Sequence, residues 1–391
     1  MWLSMASGIP CHTLDFYTME QEEILSLYQG ESIDSDLAIV EGNKGLFDGI
    51  SVDGSDSNGA MTKLLDLPVV LVINTNGITR GIAPLLLGYQ NFDPDINFAG
   101  VILNQTGGTR HEQKLQQVVE HYTDFPVIGT IPRHPDLEIV ERHLGLVPSN
   151  EAHEACDKIE TIRRMVEKQV DLDRLLELIP EDQSHGDMYV SPVKNDESIQ
   201  SAVTTTLRIG IARDEAFGFY YAADLDQFRQ LGVELVPFSP IHDQLLPEVD
   251  GLFIGGGFPE THMVQLEQNR VMRDQIHDAI ESGMPVYAEC GGLMYLSRQI
   301  QWGNESHKMV GVVAGDCQMH ERPQGRGYAR FQRSGELDDT PAHEFHYSSL
   351  ENLAEDTEFA YSIHRGFGVD GEHDGIVYKN LLASYVHQRN T

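Results

Sequence analysis

The chain is poor in cysteine and in positive charge. Only four cysteines occur in 391 residues, Cys11, Cys156, Cys290 and Cys317. They form no CxxC pair and no metal-finger spacing, which excludes a disulfide framework and a zinc knuckle, and predicts a reducing, cytoplasmic setting. Lysine and arginine number 27 against 61 aspartates and glutamates, a formal net charge of -34. Neither a nucleic-acid backbone nor an anionic membrane suits such a surface as main partner, and solubility or a salty environment accounts for the excess. Long apolar runs are missing as well. None reaches the roughly 18 residues of a spanning helix, and no basic segment leads into an apolar one, so the chain reads as neither membrane-spanning nor exported.

What is present is a 40 % apolar fraction, enough for a sizeable core and for two domains of ordinary size. Short apolar runs recur at Leu37–Val40, Val69–Ile73, Ala99–Leu103 and Val127–Gly129, with helix-length segments between them, which is the rhythm of a mostly parallel sheet with crossovers. The same rhythm returns at Arg208–Ala212, Val233–Phe238, Gly251–Ile254 and Pro285–Ala288. Between these regions lies a polar stretch rich in turn formers. The expectation is two tandem three-layer α/β domains, 1–180 and 207–391, joined by a linker over 181–206.

The pentapeptide Ala288-Glu-Cys-Gly-Gly292 follows one of these strands and precedes the apolar-periodic Leu293–Leu296. A strand, a tight turn and a helix lift a cysteine out of a sheet as a nucleophile, and the helix N-terminus favours its thiolate. A small buried hydrophobe is the bland alternative for Cys290. A thiol attacking a carbonyl needs a base, and three histidines compete: His343 and His346 in Pro341–Tyr347, and His387 after the apolar run Leu381–Val386. The glycines of Ile254-Gly-Gly-Gly-Phe-Pro-Glu260 close another strand, where backbone N–H groups can approach an anion closely, or simply turn the chain.

Asp250–Glu260, Tyr287–Leu296, His343–Ser348 and Leu382–His387 together resemble the glutamine amidotransferase domain of the cobyrinic acid a,c-diamide synthase family. Arg208–Tyr221 and Gly325–Tyr328 extend the resemblance over nearly the whole domain. It implies a class I amidotransferase fold in which Cys290 attacks the side-chain amide of glutamine, releasing ammonia through a thioester. His387 is then the base, and Gly256 and Gly257 are the oxyanion-hole donors. The usual triad carries a glutamate two positions beyond the histidine, where this chain has Arg389, so the orienting carboxylate is left unassigned.

The amino-terminal half resembles the same family at Glu41–Gly49, Pro68–Ile73, Gly100–Asn104 and Glu141–Pro148. The resemblance implies an ATP- and Mg²⁺-dependent synthetase in which Glu41 and Asp48 bind nucleotide and Glu41 the metal. A tetrapyrrole carboxylate would be phosphorylated and then amidated. Two departures stand out. No G-x-x-x-x-G-K-[ST] phosphate loop occurs, and Asn74-Thr-Asn-Gly77 replaces the family's Asp-Ala-Arg-Gly-like segment. The chain is therefore read as a truncated synthetase, as one that takes the loop from a second polypeptide, or as one that has abandoned synthesis. A stand-alone glutaminase and a non-catalytic partner protein are the alternatives, and a homodimer is among the assemblies left open.

Overall fold

The β-branched runs become strands because their alternate side chains can be buried on a pleated surface. In the computed structural model, which describes residues 1–33, 35–139, 141–142, 145–146, 155–177 and 206–389, they fall into two units. One is built on 14–139 and 155–177, the other on 206–389 together with the first thirteen residues. The predicted linker, 181–206, lies outside the described residues except for its last position.

In the first unit, Val69–Asn74, Phe98–Thr106 and Val127–Pro132 form a three-stranded parallel sheet with Phe98–Thr106 in the middle. The crossover helices Ile82–Phe92 and Thr109–Tyr122 bring Ile82, Ala83 and Leu86, then Leu115, Val118 and Val119, onto the buried Val69, Leu71, Ile73, Val101 and Leu103. The spacing of those helical residues, three and four apart, makes one apolar stripe. The run Leu37–Val40 departs from expectation. It forms no strand, Ile39 is 82 % exposed, and only Ala38 packs inward, against the small cluster around Met19, Ile24 and Met61. A strand exists only by hydrogen bonding to a neighbour, and no described strand pairs with this segment.

The second unit carries a nine-stranded sheet. Its parallel part runs Glu234–Phe238, Arg208–Ala212, Gly251–Ile254, Val286–Glu289, Leu381–Ser384. From Leu381–Ser384 the sheet continues antiparallel through His373–Tyr378, Glu358–Arg365, Gly325–Arg333 and Asp339–His346. The α/β architecture is thus as expected, while the antiparallel arm gives no signal of its own in the sequence rhythm. Met272, Ile276 and Ile280, one face of the helix Arg270–Glu281, cover Leu252, Ile254, Val286 and Ala288. Among the described residues no helix is long and apolar enough to cross a membrane.

The helix Gly291–Leu296 is buried at every position and lies so close to the neighbouring strand that a Cβ on Gly292 would stand 2.1 Å from the carbonyl oxygen of Ile254. Backbone cannot yield as a flexible side chain would. Gly292→Ala is expected to destabilise this unit by about 1–3 kcal/mol. Both tryptophans, Trp2 and Trp302, belong to the unit, so their fluorescence in urea reads the change as a lower unfolding midpoint.

Candidate active site

Cys290 stands between the strand Val286–Glu289 and the helix Gly291–Leu296 with φ 49° and ψ -100°. A positive φ is unfavourable for a residue with a Cβ and costs of order 1–3 kcal/mol. The turn is held on both sides. Cys290 N–H donates to Ser384 O at 2.7 Å, which prolongs the parallel ladder by one step. On the other side Gly291 presses against Gly257, where a Cβ would meet Gly257 N at 2.8 Å, and Gly292 against Ile254. The thiol projects towards the end of the strand Asp339–His346, with Sγ 3.8 Å from Phe345 O.

His387 reaches the same point from the end of the Leu381–Ser384 strand. Its ring lies near enough to the Cys290 sulfur for the two to interact electrostatically, and its backbone is fixed by a two-way bridge with His343, His387 N–H to His343 O at 2.7 Å and His343 N–H to His387 O at 3.1 Å. Glu289 completes the row, with Oε2 3.1 Å from His387 Nδ1. Its other oxygen accepts from Tyr287 Oη–H at 2.6 Å and from the Gln388 N–H at 3.2 Å. Burial alone would keep His387 neutral, but hydrogen bonds to Cys290 and Glu289 and their negative charge push its pKa up to about 10. The ring is thereby held as an imidazolium beside the Glu289 carboxylate.

The competing histidines separate cleanly. His343 shares the strand face that borders His387, yet burial and the charge of His387 push its pKa down to about 4, so it is neutral and a poor partner for a thiolate. His346 projects to the opposite face of the same strand. There it is 2 % exposed, stacked on Tyr385 at 3.9 Å, with Nδ1 2.8 Å from Ser348 O. Among the buried cysteines, Cys317 sits in an apolar setting that raises its pKa far above the usual thiol range, desolvation being the main cause. It is a packing residue.

The structure brings Gly256 and Gly257 to this site but gives them different surroundings. A Cβ on Gly256 would lie 2.7 Å from His387 Cε1, so glycine there makes room for the imidazole. A Cβ on Gly257 would overlap Ala216 O at 1.9 Å, and its backbone N and O both border the turn after Cys290. Both pair antiparallel with the short strand Phe217–Phe219. The residue that sequence reasoning missed is Glu289. Two positions beyond His387 stands Arg389, but the carboxylate comes from the neighbouring strand, where Glu289 lies in register with Ser384. The signal was its place directly before the cysteine.

Against this geometry, a family model for the CobB/CobQ-like glutamine amidotransferase domain matches residues 208–389, and one for an AAA domain matches residues 15–140. Over 99 % of its length the chain is 42 % identical to the cobyrinate a,c-diamide synthase of Magnetococcus marinus, covering 84 % of that protein. The chain belongs to the cobyrinate a,c-diamide synthase family. The family's enzymes of Methanosarcina acetivorans and Archaeoglobus fulgidus are 40 % and 38 % identical, over 97 % and 98 % of this chain and 82 % and 83 % of theirs. As a cobyrinate a,c-diamide synthase-type protein it is an enzyme of the glutamine amidotransferase and ligase class, linked to cobalamin-type biosynthesis. Membership and the AAA-domain match also imply use of nucleotide and Mg²⁺.

Glu41 and Asp48 belong to the other unit, both exposed, on a segment without regular structure. Asp48 folds back over Gly45, where a Cβ would meet its Oδ2 at 2.3 Å. Asn58 Nδ2 donates to the Lys44 and Gly45 carbonyls at 3.3 and 3.4 Å. Exposed carboxylates are hard oxygen donors, and Mg²⁺ commonly takes one or two of them with water and phosphate oxygens, so the donor chemistry fits the metal. Neither residue is in a cluster of three or more potential metal ligands among the described residues.

Removing the charge of Glu289 has a defined sign. A carboxylate beside imidazolium stabilises the protonated ring, so Glu289→Gln is expected to move the His387 titration to lower pH. Histidine Cε1-proton NMR, with His387→Gln to assign the resonance, measures it. An unmoved midpoint would mean that the two groups are not coupled.

Proposed function

We propose that the chain amidates side-chain carboxylates of a cobyrinate-like tetrapyrrole acid, using ammonia released from glutamine and activation of the carboxylate by ATP. The observation that carries the reading is the convergence of Cys290, His387 and Glu289 at one sheet end, in a chain related along its length to cobyrinate a,c-diamide synthases. Cys290 is the nucleophile. Its thiolate adds to the side-chain carbonyl of glutamine, the oxyanion takes N–H donors from Gly257 and the first turn after Cys290, and His387 gives its proton to the departing ammonia. Gly256 serves by admitting the imidazole. Water, deprotonated by the now neutral His387, then cleaves the thioester to glutamate and restores the thiol. Glu289 keeps the imidazole oriented throughout.

In the synthetase half, Glu41 and Asp48 would hold Mg²⁺, which supplies charge neutralisation at phosphate oxygens when bound. A carboxylate is a poor acyl donor until its oxygen becomes a leaving group. ATP is the co-substrate that makes the acyl phosphate, and ammonia displaces phosphate to give the amide.

Cys290→Ala is expected to abolish glutamate formation from glutamine, by at least about a thousandfold for a lost nucleophile, while ammonium salts still support amide formation on a corrin acid with ATP and Mg²⁺. Loss of both activities in a folded variant would defeat the division of labour. Glutaminase activity in the wild type with no amide from either nitrogen source would defeat the synthetase half of the proposal.

A further inference from the structure

Glu289 is backed by a chain of hydrogen bonds whose direction is set at its far end. Arg333 Nη2 donates to Gln388 Oε1 at 2.7 Å. A guanidinium has no acceptor, so the amide oxygen of Gln388 must face Arg333 and its Nε2 must face the other way. There Nε2 donates to Tyr361 Oη at 2.8 Å and to Tyr287 Oη at 3.2 Å. Gln388 is 2 % exposed, which leaves the amide no alternative orientation in which both ends are satisfied. With its oxygen accepting from Gln388, Tyr287 directs its own proton at Glu289 Oε1, 2.6 Å away. Burial, reinforced by the charge of Glu289, raises the Tyr287 pKa well above the ordinary phenol range, so that proton stays in place.

We infer that Tyr287 and Gln388 are positioning residues for glutamine hydrolysis: the one-way chain Arg333, Gln388, Tyr287 holds the Glu289 carboxylate as a pure acceptor aimed at His387 and sets how firmly the imidazole keeps its proton. The inference rests on the reading of Cys290, His387 and Glu289 as the hydrolytic triad. A donor to Glu289 spreads its charge and lowers its pull on the His387 proton. Without that donor the carboxylate becomes more basic, His387 holds its proton more tightly, and ammonia leaves more slowly. The charged and titratable groups around the pair are Cys290 and Glu289 beside His387, His343 on the strand Asp339–His346, and Tyr361 and Asp224 near Tyr287.

Two substitutions test the direction of the chain as well as its presence. Tyr287→Phe removes the proton and keeps the ring. Gln388→Glu keeps the shape but places an acceptor where Nε2 was, so Tyr287 is drawn to donate to the new carboxylate instead of Glu289. In the full chain, both are expected to lower kcat for glutamine about ten- to a hundredfold, the range for a lost hydrogen bond to a charged group. KM should stay within about twofold, and the alkaline limb of kcat/KM should move to higher pH. Near-wild-type urea midpoints show that the variants fold. His387 titration by NMR reads the same chain without turnover, and an upward displacement in Tyr287→Phe supports it. Unchanged kcat and an unmoved titration in both variants would overturn the proposal. A wild-type chain without glutaminase activity, in which Tyr287→Phe still displaces the His387 titration, would sink the triad reading and leave the hydrogen-bond chain standing.

Discussion

Everything at the site depends on the register between two parallel strands. Val286–Glu289 pairs with Leu381–Ser384 so that Glu289 stands opposite Ser384, and the ladder runs one step further into Cys290. That pairing puts the cysteine and the carboxylate at the end of one strand and the imidazole just past the end of its neighbour. A slip of one residue would turn every side chain of a strand to the other face. Register is strongly fixed here because both strands are buried in the sheet interior, where Val286, Ala288, Leu381 and Ala383 fill the core.

The strained backbone at Cys290 persists because the surrounding packing outweighs it. The helix that follows contributes Leu293, Tyr295 and Leu296, all fully buried, and each large apolar side chain is worth about 1.5–3 kcal/mol of burial. A penalty of order 1–3 kcal/mol for one left-handed residue is small beside that sum. Glycine is required on both sides of the approach for a different reason. At Gly257 and Gly292 the obstruction is a carbonyl oxygen of the opposing backbone, so side-chain repacking could not relieve it.

Much of this was legible in the sequence, for physical reasons that differ by residue. The strand-turn-helix around Cys290 could be read because an apolar run, two glycines and a periodic apolar stretch leave few alternatives. His387 stood out only with the resemblance, since His343 and His346 have equally good local patterns, and burial and strand face decide between them. Glu289 was overlooked because a carboxylate two residues past a histidine is a local pattern, whereas one supplied across a strand pair depends on register, which no single segment contains. The strand expected at Leu37–Val40 failed on the same ground. Its composition suits a strand, but strand formation needs a partner, and composition does not reveal whether one is there.

The bond between His387 and Glu289 spans a sequence separation of 98 residues. Closing so long a loop carries an entropic cost that grows with the logarithm of its length and is met only when the intervening sheet has formed. The thiol therefore gains its imidazole only once Leu381–Ser384 is seated beside Val286–Glu289, and the reactivity of the cysteine reports on the pairing of two strands that are distant in the chain.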